Sequence, residues 1–236
     1  MDYRKPFVPR ADWPLGRAMT YPQAAAEAEV LARPDIAKIL EVGCANGWNM
    51  SRFVREGRLP VGIDVVPDRV RLARRFGVVL VASGLDLPFP DATFDMVYIQ
   101  HALHHMHDVS RALEEVRRCL RPGGVLFLIE TIEDNPLIRW SRRLWPSWLG
   151  DEVRGFFTFG ALQDLVRNAG FSVTRARPYS VVFWMWEIVV DRLPSLLVLT
   201  PIFGVVERMA SRRLGRYSAH CFLMAEAEPT RTESPE

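Results

Sequence analysis

The chain is poor in cysteine: Cys44, Cys119 and Cys221 lie far apart and fall in no C-x-x-C or Cys/His ligand spacing. A disulfide framework and a structural zinc site are excluded on that pattern, and a reducing cytoplasm is the expected compartment. Lysine is nearly absent, Lys5 and Lys38 being the only two. The 30 basic residues against 28 acidic ones leave a formal charge of +2, with no basic block of the kind that neutralises phosphates. Nucleic acid is therefore not an expected partner. No apolar run reaches the roughly twenty uninterrupted residues of a membrane span. The most hydrophobic stretch, "VVFWMWEIVVDRLPSLLVLTPIFGVV", is broken by Glu187, Asp191 and Arg192. The opening "MDYRKPFVPRADWP" lacks the apolar centre of a secretory signal, and no internal repeat is visible.

What is present is an alternation. From Tyr21, "PQAAAEAEVLAR" reads as a helix with Pro22 at its start and strong helix formers behind it. The short apolar segments "AKILEV", "LPVGID", "VVLVAS", "FDMVYI" and "GGVLFLIE" read as strands. Helices are expected between them near Asn49 to Arg55, over "PDRVRLARRF" and over "SRALEEVRRCL". Such strands alternating with amphipathic helices predict a parallel sheet covered on both faces, a doubly wound α/β domain. Its ligand belongs outside the carboxyl ends of the strands. Later the pattern loosens: "FTFGALQDLVRNAG" predicts a helix, "FSVTRAR" and "SAHCFLMAEA" two further strands. One domain over 1–228 is expected, with helical insertions near 131–157 and 180–213 and a disordered polar tail at 229–236.

The stretch "KILEVGCANGWNM" carries an acid, Glu41, at the end of a strand, and then Gly43, Ala45 and Gly47 at alternate positions. A turn of this kind serves a dinucleotide, a nucleoside cofactor or the fold alone. The dinucleotide fingerprint G-x-G-x-x-G needs a third glycine where the next helix packs, and that spacing is not met. Asp64, ending the second strand, is placed to accept hydrogen bonds from ribose hydroxyls, a feature that several nucleoside cofactors share.

Four pieces in order, "ILEVGCANG", "VGIDVVPDRV", "ASGLDLPFPDATFDMVYIQHALHHMHD" and "VRRCLRPGGVLFLIE", resemble the class I S-adenosylmethionine-dependent methyltransferases, in particular their small-molecule, type 11-like branch. The resemblance covers Tyr21 to about Glu130 well and the later strands loosely. It implies a Rossmann-like seven-stranded sheet, mostly parallel with a final antiparallel strand, and S-adenosyl-L-methionine as cofactor. Glu41, Gly43, Cys44, Ala45 and Gly47 would form the first contact loop, with Ala45 standing where the family carries a glycine. Asp64 and Val65 would serve the ribose. Gly84, Leu85 and Asp86, within Ser83 to Leu87, would frame the adenine. Gln100 and His101 would border the methionine part and the transferred methyl. The residue chemistry agrees, because a sulfonium cofactor has no pyrophosphate to cradle and presents donors that suit the carboxylates of Asp64 and Asp86.

"HALHHMHD" holds four histidines, and on a helix His101 and His105 would share a face at metal-binding spacing. No neighbouring acid or cysteine completes such a site, so no metal is expected. The resemblance makes this turn the closure of the cofactor pocket, with His101 and His105 as candidate general bases toward an acidic hydroxyl. Nucleic-acid amino-methyltransferases of this fold carry a Pro-Pro-aromatic motif where Gln100-His101-Ala102 stands. The aromatics Trp140, Trp145, Trp148, Phe156, Phe157 and Phe159 read as core or as acceptor pocket, and Arg139, Arg142, Arg143 and Arg154 as a solvated face or as contacts to an acidic group. The apolar stretch at 180–213 reads as a lid, a homodimer surface or a peripheral membrane contact. The expectation is an enzyme that methylates a small, hydrophobic or amphipathic acceptor. The rivals are a Rossmann-type NAD(P)-dependent oxidoreductase and a non-catalytic scaffold that keeps the cofactor fold.

Overall fold

The computed structural model describes residues 21–144, 157–182, 186 and 193–228. Helix α1 (Tyr21–Leu31) leads into β1 (Lys38–Val42), α2 (Trp48–Arg55), β2 (Leu59–Asp64), α3 (Pro67–Ala73) and β3 (Val78–Val81). Then come β4 (Phe94–Gln100), α4 (Val109–Cys119) and β5 (Leu120–Thr131). The remainder supplies α5 (Pro136–Leu144), α6 (Phe159–Asn168), β6 (Phe171–Tyr179), α7 (Thr200–Leu214) and β7 (His220–Ala227).

The seven strands form one sheet in the order β3-β2-β1-β4-β5-β7-β6. Neighbours from β3 to β5 run parallel, whereas β7 is antiparallel to both β5 and β6. The final strand in sequence is thus antiparallel, as expected, but it lies inside the sheet, between β5 and β6. Strand order reverses between β1 and β4, which opens a crevice at their carboxyl ends.

Alternate residues build the two cores, as the two-residue period of a strand requires. Leu40 and Val42 of β1, Val97 and Ile99 of β4, and Leu126 and Leu128 of β5 pack with Leu113 and Val116 of α4 and Leu162 and Val166 of α6. On the other face Ile39, Met96, Tyr98, Phe127, Ile129 and Phe222 pack with Ala26 and Val30 of α1 and Phe53 of α2. Tyr98, Phe127 and Phe222 stack nearly parallel across β4, β5 and β7, with ring centroids 5.5 and 6.1 Å apart. Each such buried side chain contributes about 1.5–3 kcal/mol of burial free energy. Because both faces are covered, the strands read as continuous apolar runs rather than as alternating ones.

The amino edge of the sheet is clamped by charge. Asp95 accepts the backbone N–H groups of Ala37 and Lys38, and Arg121 joins Asp95 to Asp35. The carboxyl edge is left for ligands. Strand β5 starts earlier than the sequence suggests, at Leu120, because α4 passes directly into extended backbone there. Expectations for Trp145, Trp148, Arg154, Phe156, Glu187, Asp191, Arg192, the N-terminal segment and the tail at 229–236 lie outside the described residues. Among the described residues no helix is long and apolar enough to cross a membrane.

Candidate functional site

After β1 the chain turns through left-handed backbone at Gly43 (φ 77°), Ala45 (φ 46°) and Gly47 (φ 79°). A Cβ at Gly43 would stand 2.7 Å from the Cβ of Ala102, and one at Gly47 would stand 2.9 Å from Ala73 and Phe76. Both glycines are therefore required by conformation and by the close approach of the neighbouring chain. Asp64 pins the turn from β2: its Oδ2 accepts the Ala45 N–H at 2.9 Å and its Oδ1 the Val66 N–H at 2.9 Å. Each oxygen keeps a lone pair for a hydroxyl donor. Val65 beside it is exposed. The thiol of Cys44 packs away from the edge, with Met50 and Val70, and burial pushes its pKa up. Cys44 reaches the edge only through its backbone.

Glu41 is buried beneath this turn, 2 % exposed. Asn49, on the first turn of α2, donates from Nδ2 to Glu41 Oε1 at 2.8 Å and to Gln100 Oε1 at 3.0 Å. The Tyr98 hydroxyl donates to the same Gln100 oxygen at 3.2 Å. Glu41 Oε2 makes no hydrogen bond. Burial pushes the carboxyl up to about 8; Asn49 and the nearby Met50 N–H pull it down, and the charge of Asp64 adds to the rise. A buried carboxyl with one unbonded oxygen can receive a cation, because an ammonium placed there would satisfy that oxygen and favour ionisation of the group.

The loop after β3 closes one side. Gly84 leaves room for Met106 and Val42, which a Cβ would meet at 2.8 and 3.1 Å. Leu85 is half-buried and Asp86 exposed at the rim. Helix α4 holds the loop: Glu115 Oε2 accepts the Leu87 N–H at 2.9 Å, and Arg118 donates to the carbonyls of Leu87 and Phe89 at 2.9 and 2.7 Å.

On the other side of the crevice the chain leaves β4 at Gln100 and bends at His101, whose φ is 51°. The His101–His105 segment does not form the helix that would place those two imidazoles on one face; a 3-10 turn occupies Leu103–His105 instead. The fully buried carboxylate of Glu130, on β5, organises it. Its Oε1 accepts the N–H groups of Ala102 and Leu103 at 3.0 and 2.8 Å, and its Oε2 lies 2.6 Å from Nδ1 of His104. Burial alone would raise its pKa; the hydrogen bond and charge of His104, the charge of His101 and the Leu103 N–H outweigh that and hold it below the usual carboxylate range. His105 is exposed, with its ring 4.2 Å from that of His104.

His101 meets a further histidine, His220, at the start of β7, with ring centroids 5.4 Å apart and edge to face. Its Nδ1 lies 3.3 Å from Thr131 Oγ1, and the Tyr179 ring stands 5.8 Å from that of His220. Thr131, His220 and Tyr179 are register partners on β5, β7 and β6. With Glu41 and Gln100 they form one polar row along the carboxyl edge, above the stacked aromatic core. Burial lowers His101 to about 4, with Glu130 opposing and His104 and His105 reinforcing, and lowers His220 to about 3. Both are neutral near pH 7. Among the described residues no group of three His, Cys, Asp or Glu side chains is arranged to hold a metal ion.

The site residues that sequence reasoning missed are Asn49, Tyr98, Glu115, Glu130, Thr131, Tyr179 and His220. Glu130 had a visible signal, an acid ending the apolar run "VLFLIE" just as Glu41 ends "KILE". His220 had none, since nothing local says that the last strand inserts between the fifth and the sixth.

Residues 40–128 match the family model described as a methyltransferase domain. Relatives include an O-methyltransferase, cnsE, of Penicillium expansum, 31% identical over 151 residues, covering 57% of this chain and 52% of that protein. A demethylmenaquinone methyltransferase of Corynebacterium kroppenstedtii is 34% identical over 94 residues, covering 39% of this chain and 41% of that protein. The chain thus spans about half, or less, of these relatives' length. The crystal structure of an S-adenosylmethionine-dependent methyltransferase from Mesorhizobium loti superposes with a TM-score of 0.62, covering 90% of this chain and 99% of that chain at 18% identity, a likeness of fold. The oxidoreductase alternative finds no support in these likenesses.

Proposed function

We propose that this chain is a class I S-adenosylmethionine-dependent methyltransferase, a reading that the match of residues 40–128 to a methyltransferase domain supports, and that it methylates a hydroxyl of a small, hydrophobic or amphipathic molecule. The observation that carries the cofactor half is the buried Glu41, whose unbonded Oε2 suits the α-ammonium of a methionine moiety. Gly43 to Gly47 would pass that chain, Asp64 would accept the ribose hydroxyls beside Val65, and Gly84 to Asp86 would cover the adenine. Bound there, the cofactor would supply an electrophilic methyl on a sulfonium sulfur to the acceptor oxygen and become a neutral thioether, the hydroxyl proton passing to solvent.

The acceptor would lie over the Thr131, His220 and Tyr179 row, with His101 between it and the cofactor. A neutral His101 of depressed basicity suits holding and orienting a hydroxyl better than removing its proton unaided. Placement of the nucleophile in line supplies much of the acceleration in such a transfer. His105, exposed and outside this row, is not assigned a part. The names of the relatives, an O-methyltransferase and a demethylmenaquinone methyltransferase, support oxygen as one class of nucleophile and an apolar acceptor.

Thermal unfolding with S-adenosylhomocysteine, S-adenosylmethionine or NADH tests the reading. A ligand at 100 times its dissociation constant adds about 2.7 kcal/mol of stability. A raised midpoint with the two sulfur nucleosides and none with NADH is expected; no shift with either sulfur nucleoside would refute it and turn attention to a scaffold role.

A further inference from the structure

Helix α7 is amphipathic the wrong way round for a helix covering a core. Its inward side carries Phe203, Gly204, Glu207 and Ser211. Phe203 stacks on Trp186 at 3.8 Å, and Glu207 accepts the N–H groups of Val181 and Val182 at 2.9 and 2.8 Å and the Ser211 hydroxyl at 2.5 Å. Its outward side carries Ile202, Val205, Val206 and Met209, which are 44 to 62 % exposed, and the preceding turn adds exposed Leu193 and Val198. The spacing 198, 202, 205, 209 is one helical stripe. Toward its C-terminal end Arg208, Arg212 and Arg213, and Arg216 in the turn just beyond it, are also exposed, and among the described residues no carboxylate pairs with them. Glu207, the one acid between 200 and 217, is turned inward.

We propose that the outward face of α7 docks on a membrane surface rich in anionic lipid, with the apolar stripe in the interface and the arginines against phosphates. Charge complementarity selects this occupant. The face has four cations and no anion, so its partner must supply negative charge, whereas a second copy of the chain would bring four more cations. The helix is too short and too charged to span and has the mixed character of a segment lying in the interface plane. Its anchor, Glu207 on Val181 and Val182, lies two residues beyond Tyr179, so α7 is tied to the chain that leaves the acceptor end of β6. Docking there would let an amphipathic acceptor pass from the lipid to the polar row. That use rests on the proposed function, while docking itself does not.

The test is co-sedimentation of the full chain with vesicles of phosphatidylcholine alone and of equal parts phosphatidylcholine and phosphatidylglycerol, at low and high salt. Binding to the mixed vesicles about ten-fold stronger than to the neutral ones, and weakened by salt, is expected. The double variants I202D/M209D and R212E/R213E should each lose about ten-fold in binding while keeping the wild-type thermal shift with S-adenosylhomocysteine. The altered side chains point outward, so the shift reports that the fold is intact. No binding of the wild type to mixed vesicles, or equal binding by both variants, would overturn the proposal. So would a concentration-dependent dimer that the same variants abolish, which would assign the face to a second copy. Vesicle binding as expected without any S-adenosylhomocysteine shift would leave the docking surface standing and remove the cofactor reading.

Discussion

The two sides of the crevice use opposite electrostatics. Toward β1 and β2 the carboxyl edge is acidic: Glu41 is buried with an oxygen unbonded, and Asp64 bridges two backbone N–H groups. Toward β5, β7 and β6 it is lined by neutral imidazoles, His101 and His220, and by the hydroxyls of Thr131 and Tyr179. Glu130 there carries charge but is saturated with hydrogen bonds. An acid left partly unsatisfied fits a cationic, donor-rich nucleoside. A saturated acid has a different use: it fixes a turn and leaves the imidazoles above it free to meet a neutral molecule.

The largest effect should come from removing that saturated acid. Glu130→Ala strands two N–H groups and the His104 ring in a dry interior, and a loss of about 3–5 kcal/mol in urea unfolding is expected. A loss below about 1 kcal/mol would show that the turn from His101 to His104 stands without it. Next comes Gly43→Ala, which puts a Cβ on Ala102 at a left-handed position and should cost about 1–3 kcal/mol by the same measurement. Wild-type stability in that variant would mean that the approach of the two loops relaxes freely.

The smallest effects are pH profiles of opposite sign. Glu41 has a folded pKa of about 8 against an ordinary value of 4.5, so the folded state binds more protons between them. Its contribution to stability is full below 4.5 and is lost as pH rises toward 8. His220, at about 3 folded against 6.5, contributes above 6.5 and loses that contribution as pH falls. Glu41→Gln should therefore flatten the ligand-free melting temperature between pH 5 and 8, and His220→Gln should flatten it between pH 6.5 and 4. Identical profiles in the two variants would break the comparison.

How far the sequence could be read follows the same division. The strands from β1 to β5 and the turn at Gly43 were legible because apolar runs, glycines and strand-terminal acids are local signals. The acid at Glu41 was visible, but not that Asn49 bonds one oxygen only. The acceptor side was hidden because it is made by register: Thr131, His220 and Tyr179 become neighbours only once β7 inserts antiparallel between β5 and β6. The His-rich segment misled for a related reason. Spacing at four residues suggests one helical face, whereas Glu130, remote in sequence, captures two N–H groups and imposes a 3-10 turn. The apolar stretch at 180–213 was legible as unusual, but its inverted helix needed the Glu207 contacts to be seen.

Calorimetric titration of S-adenosylhomocysteine into the wild type, Asp64→Ala and His220→Gln tests the division most directly. Asp64→Ala should weaken binding by about 1–3 kcal/mol, roughly 5- to 150-fold, through loss of a charged acceptor, whereas His220→Gln should bind like the wild type. Undiminished binding by Asp64→Ala, or a comparable loss in His220→Gln, would contradict the placement of the cofactor on the acidic side and the acceptor on the imidazole side.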